Sequence, residues 1–258
     1  MVTIHPTAIV EAGAELAEEV QVGPYAIVGP SVRIGRGTHI GSHSVLEGRT
    51  EIGADCRIGS HVVIGGAPQD VKYHGEETRV EVGDGTVVRE FASIHRASTG
   101  GDGVTRVGAR CFLMAYTHIG HDCQVAEEVI MANVATLGGH VVLGRFVNLG
   151  GLVAVHQFVR LGEYAFVGGG SAVTQDVPPY VKVSGNRAKP FGLNVLGLRR
   201  IGFPGETIHA LQHAYRVVFS RGLNTSQALE KLEQEASPLP EVQRFRAFIR
   251  QSTRGICK

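Results

Sequence analysis

The sequence predicts a mainly β protein: a parallel β-helix built on a hexapeptide repeat, followed by a small α-helical domain. Three observations carry that reading. Aliphatic residues recur every six positions, small residues recur at a fixed offset from them, and beyond Val173 the period gives way to helix start and stop signals.

The aliphatic series runs from Ile4 through Val10, Leu16 and Val22 to Ile64 without a miss. It pauses across 68–79 and resumes in step at Val82, Val88 and Ile94. It then slips by one residue around 98–106 and continues from Val107 to Val173. All 26 positions are Ile, Val, Leu or Met, in a chain that is only 43% hydrophobic. Four residues on, the slot is small or β-branched, as at Ala8, Ala14, Val20, Cys111, Thr117 and Cys123. Glycine follows the aliphatic slot at Gly23, Gly29, Gly35, Gly41, Gly53 and Gly59, where a tight corner needs a small residue or positive φ. One hexad is too short to bury anything alone. Stacked coils bury a continuous column and pair strands at about 4.8 Å. An amphipathic helix needs a period of 3.6, which a strict six excludes.

The tail reads differently. Pro204–Gly205–Glu206 opens a helix running to about Ser220, Asn224 or Thr225 opens a second that ends before Ser237–Pro238, and a third runs from Glu241 to about Gln251. The division expected is a β-helix over 1–185 and a helical domain over 186–258, which either caps the open end of the solenoid or serves a ligand. Arg199, Arg200, Arg216, Arg221, Arg244, Arg246 and Arg250 give the tail a basic character that suits an acidic protein partner.

Composition narrows the function. A formal net charge of +1 over 258 residues lacks the basic excess of a nucleic-acid binder. Aromatics are 6% and Trp is absent, so the core is aliphatic. No leader pattern and no apolar run long enough to span a membrane are visible, and the four cysteines show no CxxC pairing. These features point to a cytoplasmic protein with reduced thiols.

The repeat resembles that of the left-handed β-helix family, which implies three sides and 18 residues per coil. Residues n and n+18 then lie on adjacent rungs. His121 stacks with Gly139 and Gln157, Asp122 stacks with His140, and Gly120 and Gly138 stack with His156; His118 lies a short step away. Such a ladder is a candidate site. A neutral imidazole takes a proton from a hydroxyl near pH 7. Glycine N–H groups steady an oxyanion, and an adjacent carboxylate orients the base. Cys111 and Cys123 occupy packed slots, which speaks against an acyl-cysteine step. The insertions at 65–79 and 98–106 are surface loops suited to binding or assembly.

HPTAIVE at 5–11, QDVKYHGE at 69–76, IHR at 94–96, THIGHDC at 117–123, GGH at 138–140, AVHQF at 154–158, QDVPPYV at 175–181, GNRAKPFGLN at 185–194 and STRG at 252–255 together resemble the bacterial UDP-N-acetylglucosamine O-acyltransferases that begin lipid A synthesis. The resemblance spans essentially the whole chain. It implies transfer of an (R)-3-hydroxyacyl group from acyl carrier protein to the 3-position of UDP-N-acetylglucosamine. His121 then matches the general base, with Asp122 beside it, and the Gly139 N–H matches the oxyanion donor. Asp70 and Lys72 match loop residues that reach a neighbouring subunit's substrate. His95, His118, His140, His156, Gln157, Asn194 and Arg200 match substrate-binding or activity positions, and Gly169 matches the position limiting acyl length. A homotrimer with sites between subunits is implied, with no cofactor and no metal. Arg187 stands where the best-known members carry histidine near the acyl tail. The acyl length, and a 3-hydroxyl or 3-amino acceptor, stay open.

Three rival readings remain at this level. One is a related N-acyltransferase acting on a UDP-aminosugar. Another is a zinc hydratase of carbonic-anhydrase type using His118, His121 and His140. The last is a non-enzymatic scaffold, which leaves the His–Asp–Gly ladder unexplained.

Overall fold

A computed structural model describes residues 1–219 and 222–258. The solenoid is the left-handed parallel β-helix that the repeat suggested. Its strands, mostly two residues long, form three flat faces. Face one has eleven strands and opens with Thr3–Ile4, face two has nine and opens with Ile9–Val10, and face three has eight and opens with Glu15–Leu16. Thr3 pairs with Gln21, Ile27 with Val45 and Gln124 with Val142, so one coil is 18 residues.

The second residue of each short strand is the aliphatic slot, and it points inward. From Val22 to Val173 this column is buried, and the small slots at Val20, Ala26, Cys111 and Cys123 fill the space beside it. Ile4, at the open first coil, is 45% exposed because no coil precedes it.

The corners correct one expectation. The glycines after the aliphatic slot are needed for close approach, not for positive φ. A Cβ on Gly35 would stand 2.5 Å from the carbonyl carbon of Gly53, and one on Gly41 equally close to that of Gly59. The left-handed conformation falls two positions later, on residues that carry side chains: Tyr25 (φ 57°), His61 (57°), Asp122 (61°) and His140 (59°). Each such residue gives its N–H to the preceding coil, as His140 does to the His121 carbonyl at 2.9 Å. Repetition of that bond stabilises a conformation costly in isolation.

Both insertions leave the solenoid at one corner. Arg57 pairs with Val87, a step of 30, and Val87 with Phe112, a step of 25. The first excess over a coil is 12, two whole hexads, so the period resumes in step; the second is 7, which shifts it by one. The first insertion lies between Val63–Gly66 and Arg79–Val82, the second between Ser93–His95 and Val104–Val107. Each runs from face two to face three. The same corner of the next coil carries His121 and Asp122.

Beyond the last hexad, Val181–Ser184 extends face one, and Lys189–Leu193 adds to it antiparallel. Four helices follow among the described residues: α1 Val195–Arg200, α2 Gly205–Phe219, α3 Thr225–Gln234 and α4 Pro240–Arg250. The last three lie where the cap and proline signals put them. Asn224 and Gln227 form a capping box on α3, and Pro240 starts α4. The helix end expected near Ser220, and Arg221, lie outside the described residues. The antiparallel strand and α1 carried no sequence signal. Six residues are too few to show a helical period, and α1 is held by its Asn194 cap.

The helices are tied to the solenoid through charge. Arg244 of α4 donates to Glu163 Oε1 at 2.7 Å, and the fully buried Tyr180 donates its hydroxyl to the same oxygen at 2.5 Å. Ser252 donates to the buried Asp176 at 2.8 Å, and Ile256 bridges Asp176. No helix among the described residues is long and apolar enough to cross a membrane.

Candidate active site

Three successive coils meet at the corner between faces two and three. They bring Gly120–His121–Asp122, Gly138–Gly139–His140 and His156–Gln157–Phe158 into register. His140 donates its N–H to the His121 carbonyl at 2.9 Å, and Phe158 to the Gly139 carbonyl at 3.0 Å.

Asp122 is the anchor, its side chain only 3% exposed. Its Oδ2 lies 2.8 Å from His121 Nδ1 and accepts the Ser98 N–H at 2.9 Å. An oxygen accepting there fixes His121 as the Nδ1–H tautomer, which leaves the Nε2 lone pair facing the cleft. Asp122 donates its own N–H to Thr105 Oγ1 at 2.8 Å. Its Oδ1 is buried without a hydrogen-bond partner among the described residues. His140 Nε2 lies 3.7 Å from Asp122 Oδ2, and its ring stands edge-on to His121 and stacks on Phe158.

Gly139 faces the other side of the His121 ring. At this corner the first turn residue of each coil, His121, Gly139 and Gln157, keeps its N–H without a partner among the described residues. Of the three, Gly139 is the residue packed against the imidazole, where an added Cβ would meet the His121 ring.

His95 and His118 come from face two. The His118 Nδ1 lies 2.8 Å from Ser93 Oγ, and its ring stands edge-on to His95. Burial, then the neighbouring His95 and His121, pull His118 down to about 4. Burial also lowers His95. Both imidazoles are therefore neutral at pH 7 and act through hydrogen bonds rather than charge.

These groups line a cleft of about 380 Å³ with Gln69, His156 and Gln157. Arg254 reaches it from the C-terminal tail, with Nη2 3.1 Å from His156 Nδ1 and Nη1 donating to the Gln157 carbonyl at 3.0 Å. At the cleft's edge Asp70 accepts the Ser98 hydroxyl at 2.6 Å and the Lys72 N–H at 3.0 Å. Those bonds hold its carboxyl below the usual carboxylate range. The Lys72 side chain is exposed.

Three expected site residues lie elsewhere on the chain. Gly169 is at the corner between faces one and two. Asn194 and Arg200 border a second cleft, of about 460 Å³, beside face one with Ile130 and Phe166. Asn194 already accepts the Gly197 N–H at 3.2 Å and donates to the Tyr164 carbonyl at 3.0 Å.

Sequence reasoning did not single out Ser93, Ser98, Thr105 or Arg254. Ser98 opens the second insertion and Arg254 sits in the STRG stretch, but only the fold shows what they touch.

The donor atoms of His121, Asp122 and His140 lie within 4.8 Å of one another, and His118 is not part of that cluster. Cys111 and Cys123 are buried, which raises their thiols to about 11 and about 12, so neither is a ready nucleophile.

Comparison with known proteins identifies the chain's relatives. The family described as UDP N-acetylglucosamine O-acyltransferase, domain 2, matches residues 176–257, and the bacterial transferase hexapeptide family matches 31–66. The chain is 51% identical over 256 residues to the acyl-(acyl-carrier-protein)–UDP-N-acetylglucosamine O-acyltransferase of Syntrophobacter fumaroxidans, covering 99% of both chains. It is 50% identical to the protein of that name in Thermodesulfovibrio yellowstonii, again over 99% of each. The crystal structure of LpxA from Acinetobacter baumannii superposes with a TM-score of 0.96 at 42% identity, covering 99% of both chains.

Proposed function

We propose a mechanism from one premise: this chain belongs to the acyl-(acyl-carrier-protein)–UDP-N-acetylglucosamine O-acyltransferase family. It is an enzyme of lipid A biosynthesis that moves an acyl group from acyl carrier protein to UDP-N-acetylglucosamine. In the proposed reaction the group is an (R)-3-hydroxyacyl chain and the acceptor is the sugar 3-hydroxyl.

His121 Nε2 takes the hydroxyl proton as the sugar oxygen attacks the thioester carbonyl. The carbonyl electron pair moves onto oxygen, and the Gly139 N–H steadies it. Asp122 stabilises the imidazolium through Nδ1. Collapse of the tetrahedral intermediate breaks the C–S bond, and the leaving carrier thiolate takes the proton back from His121. Proton and charge balance without metal or organic cofactor. Neutral His95 and His118 add no positive charge of their own beside the base.

The observation that carries this reading is the 2.8 Å contact between His121 Nδ1 and Asp122 Oδ2, with Gly139 packed against the same ring and its N–H without a partner among the described residues. Replacement of His121 by Ala tests it. Turnover is expected to fall at least ~100-fold, the usual scale for a general base. Turnover within threefold of the parent would remove His121 from the role.

A homotrimer belongs to the same proposal. Along the corner between faces one and two, Tyr25, Phe91, Tyr116, Val134 and Leu152 are exposed one above another. Tyr25, His43, His61, Phe91 and Tyr116 stack continuously at 4.8–5.0 Å. An apolar edge of that length suits burial against other copies. Such packing would bring the cleft holding Asn194 and Arg200 against a neighbour's His121. The cytoplasm fits substrates that are a carrier-protein thioester and a nucleotide sugar.

A further inference from the structure

We propose that Ser98 is a positioning residue that locks the two insertions to the catalytic pair, its hydroxyl holding Asp70 and its N–H holding Asp122. This rests on the reading of His121 as base and on the expectation from the resemblance that Asp70 reaches substrate, and adds to it a residue that touches neither substrate nor the base.

Ser98 is 2% exposed and both of its donors point at carboxylates. The hydroxyl donates to Asp70 Oδ2 at 2.6 Å, and the N–H donates to Asp122 Oδ2 at 2.9 Å. Charge-assisted bonds of this kind are short and roughly twice as strong as neutral ones. Ser98 thus supplies one donor to each carboxylate. The rest of the second insertion closes over the same group. A Cβ on Gly101 would stand 2.4 Å from Asp122 Oδ1, and Thr105 Oγ1 accepts the Asp122 N–H.

The topology explains why one residue can do this. The two insertions leave the corner that carries His121 and Asp122, two coils and one coil before them, and the first loop folds back to meet the start of the second. Among the described residues the Asp70 carboxylate is otherwise bonded only to the Lys72 N–H, within its own loop. Without the Ser98 hydroxyl, nothing ties that loop's carboxylate to the coil that bears the base.

The test is steady-state kinetics of Ser98→Ala, Ser98→Thr, Asp70→Ala and the Ser98→Ala/Asp70→Ala double variant, with UDP-N-acetylglucosamine and a hydroxyacyl carrier protein. Ser98→Ala keeps the N–H bond to Asp122 and loses only the hydroxyl. Its KM for the nucleotide sugar is expected to rise about 5- to 30-fold with kcat within about threefold, the pattern of lost binding. Ser98→Thr, which retains the hydroxyl, is expected to restore KM to within about threefold. Once Asp70 is Ala, adding Ser98→Ala is expected to change KM less than about twofold, because coupled residues are not additive. An unchanged KM in Ser98→Ala, or multiplied effects in the double variant, would overturn the proposal. His121→Ala is assayed alongside. If it is inactive while Ser98→Ala matches the parent, only the Ser98 role fails; if His121→Ala keeps its turnover, the general-base reading fails by itself.

Discussion

Gly139 lies so close to the His121 imidazole that a Cβ on it would stand 2.5 Å from both Nε2 and Cε1. No real Cβ contact is that short, and the ring is held from behind by Asp122. Gly139→Ala is therefore expected to displace the imidazole and lower kcat at least ~10-fold, since small misplacements of a reacting group are costly. Gly139 does not adopt positive φ, so the backbone tolerates alanine, and the melting temperature is expected to stay within a few degrees. A variant with parental kcat would show that the ring has room to move.

Burial of His118 has a consequence for acid stability. Its folded-state value of about 4 lies below the ordinary value of 6.5. Between those limits the unfolded chain binds the proton and the folded chain does not. Stability is therefore full above about pH 6.5 and declines as pH falls toward 4. Replacing His118 by Asn removes that titration. The drop in melting temperature between pH 7 and pH 5 is expected to be smaller in His118→Asn than in the parent. An equal drop would mean that His118 is protonated in the folded state.

Arg244 and Tyr180 converge on Glu163 Oε1, at 2.7 and 2.5 Å. Glu163 has a side chain only 15% exposed, so removing the arginine leaves its carboxylate between α4 and the solenoid with Tyr180 on Oε1 and the more distant Arg145, 3.7 Å from Oε2. Arg244→Ala is expected to destabilise the protein by about 1–3 kcal/mol, the scale for stranding a buried polar group. Denaturant unfolding followed by circular dichroism measures it. No loss of stability would mean that α4 docks through its apolar face alone.

Gly169 has only the Gly151 carbonyl oxygen, at 3.1 Å, and its nitrogen, at 3.7 Å, near an added Cβ. A larger residue there projects outward from the corner between faces one and two. Gly169→Met is expected to shift preference toward shorter acyl donors, measured with carrier proteins bearing chains of different length. The parental preference in that variant would place the length limit elsewhere.

The legibility of the fold varies along the chain. Every aliphatic slot from Ile4 to Val173 was visible because a strand of two residues must put one of them inside, and only a strict six keeps that true coil after coil. The two insertions were visible as breaks in the series, the second with a one-residue shift of phase. The strand Lys189–Leu193 and α1 were not, because each is short and held by tertiary partners: the neighbouring strand, and the Tyr164 carbonyl that Asn194 bonds. The glycines of the corners were seen, but for a partly mistaken reason. Close approach of successive coils is a property of stacking, invisible from one coil.

The site divides in the same way. His121, Asp122, Gly139 and His140 were found by adding 18 to a residue number, once resemblance supplied the coil length. Ser98 and Arg254 needed the fold. Their side chains meet the site across loops, and no period relates a loop residue to the coil it covers.

By itself the sequence determined a β-helical solenoid and, with the coil length that the resemblance implies, the column of imidazoles on it, because a repeating coil turns spacing in the chain into distance in space. Tertiary structure alone decided that both insertions fold over the Asp122 corner, that His118 is neutral, and that α4 and the C-terminal tail brace the last coils. Hydrogen bonding and burial across non-repeating segments depend on where those segments land, which local pattern does not encode.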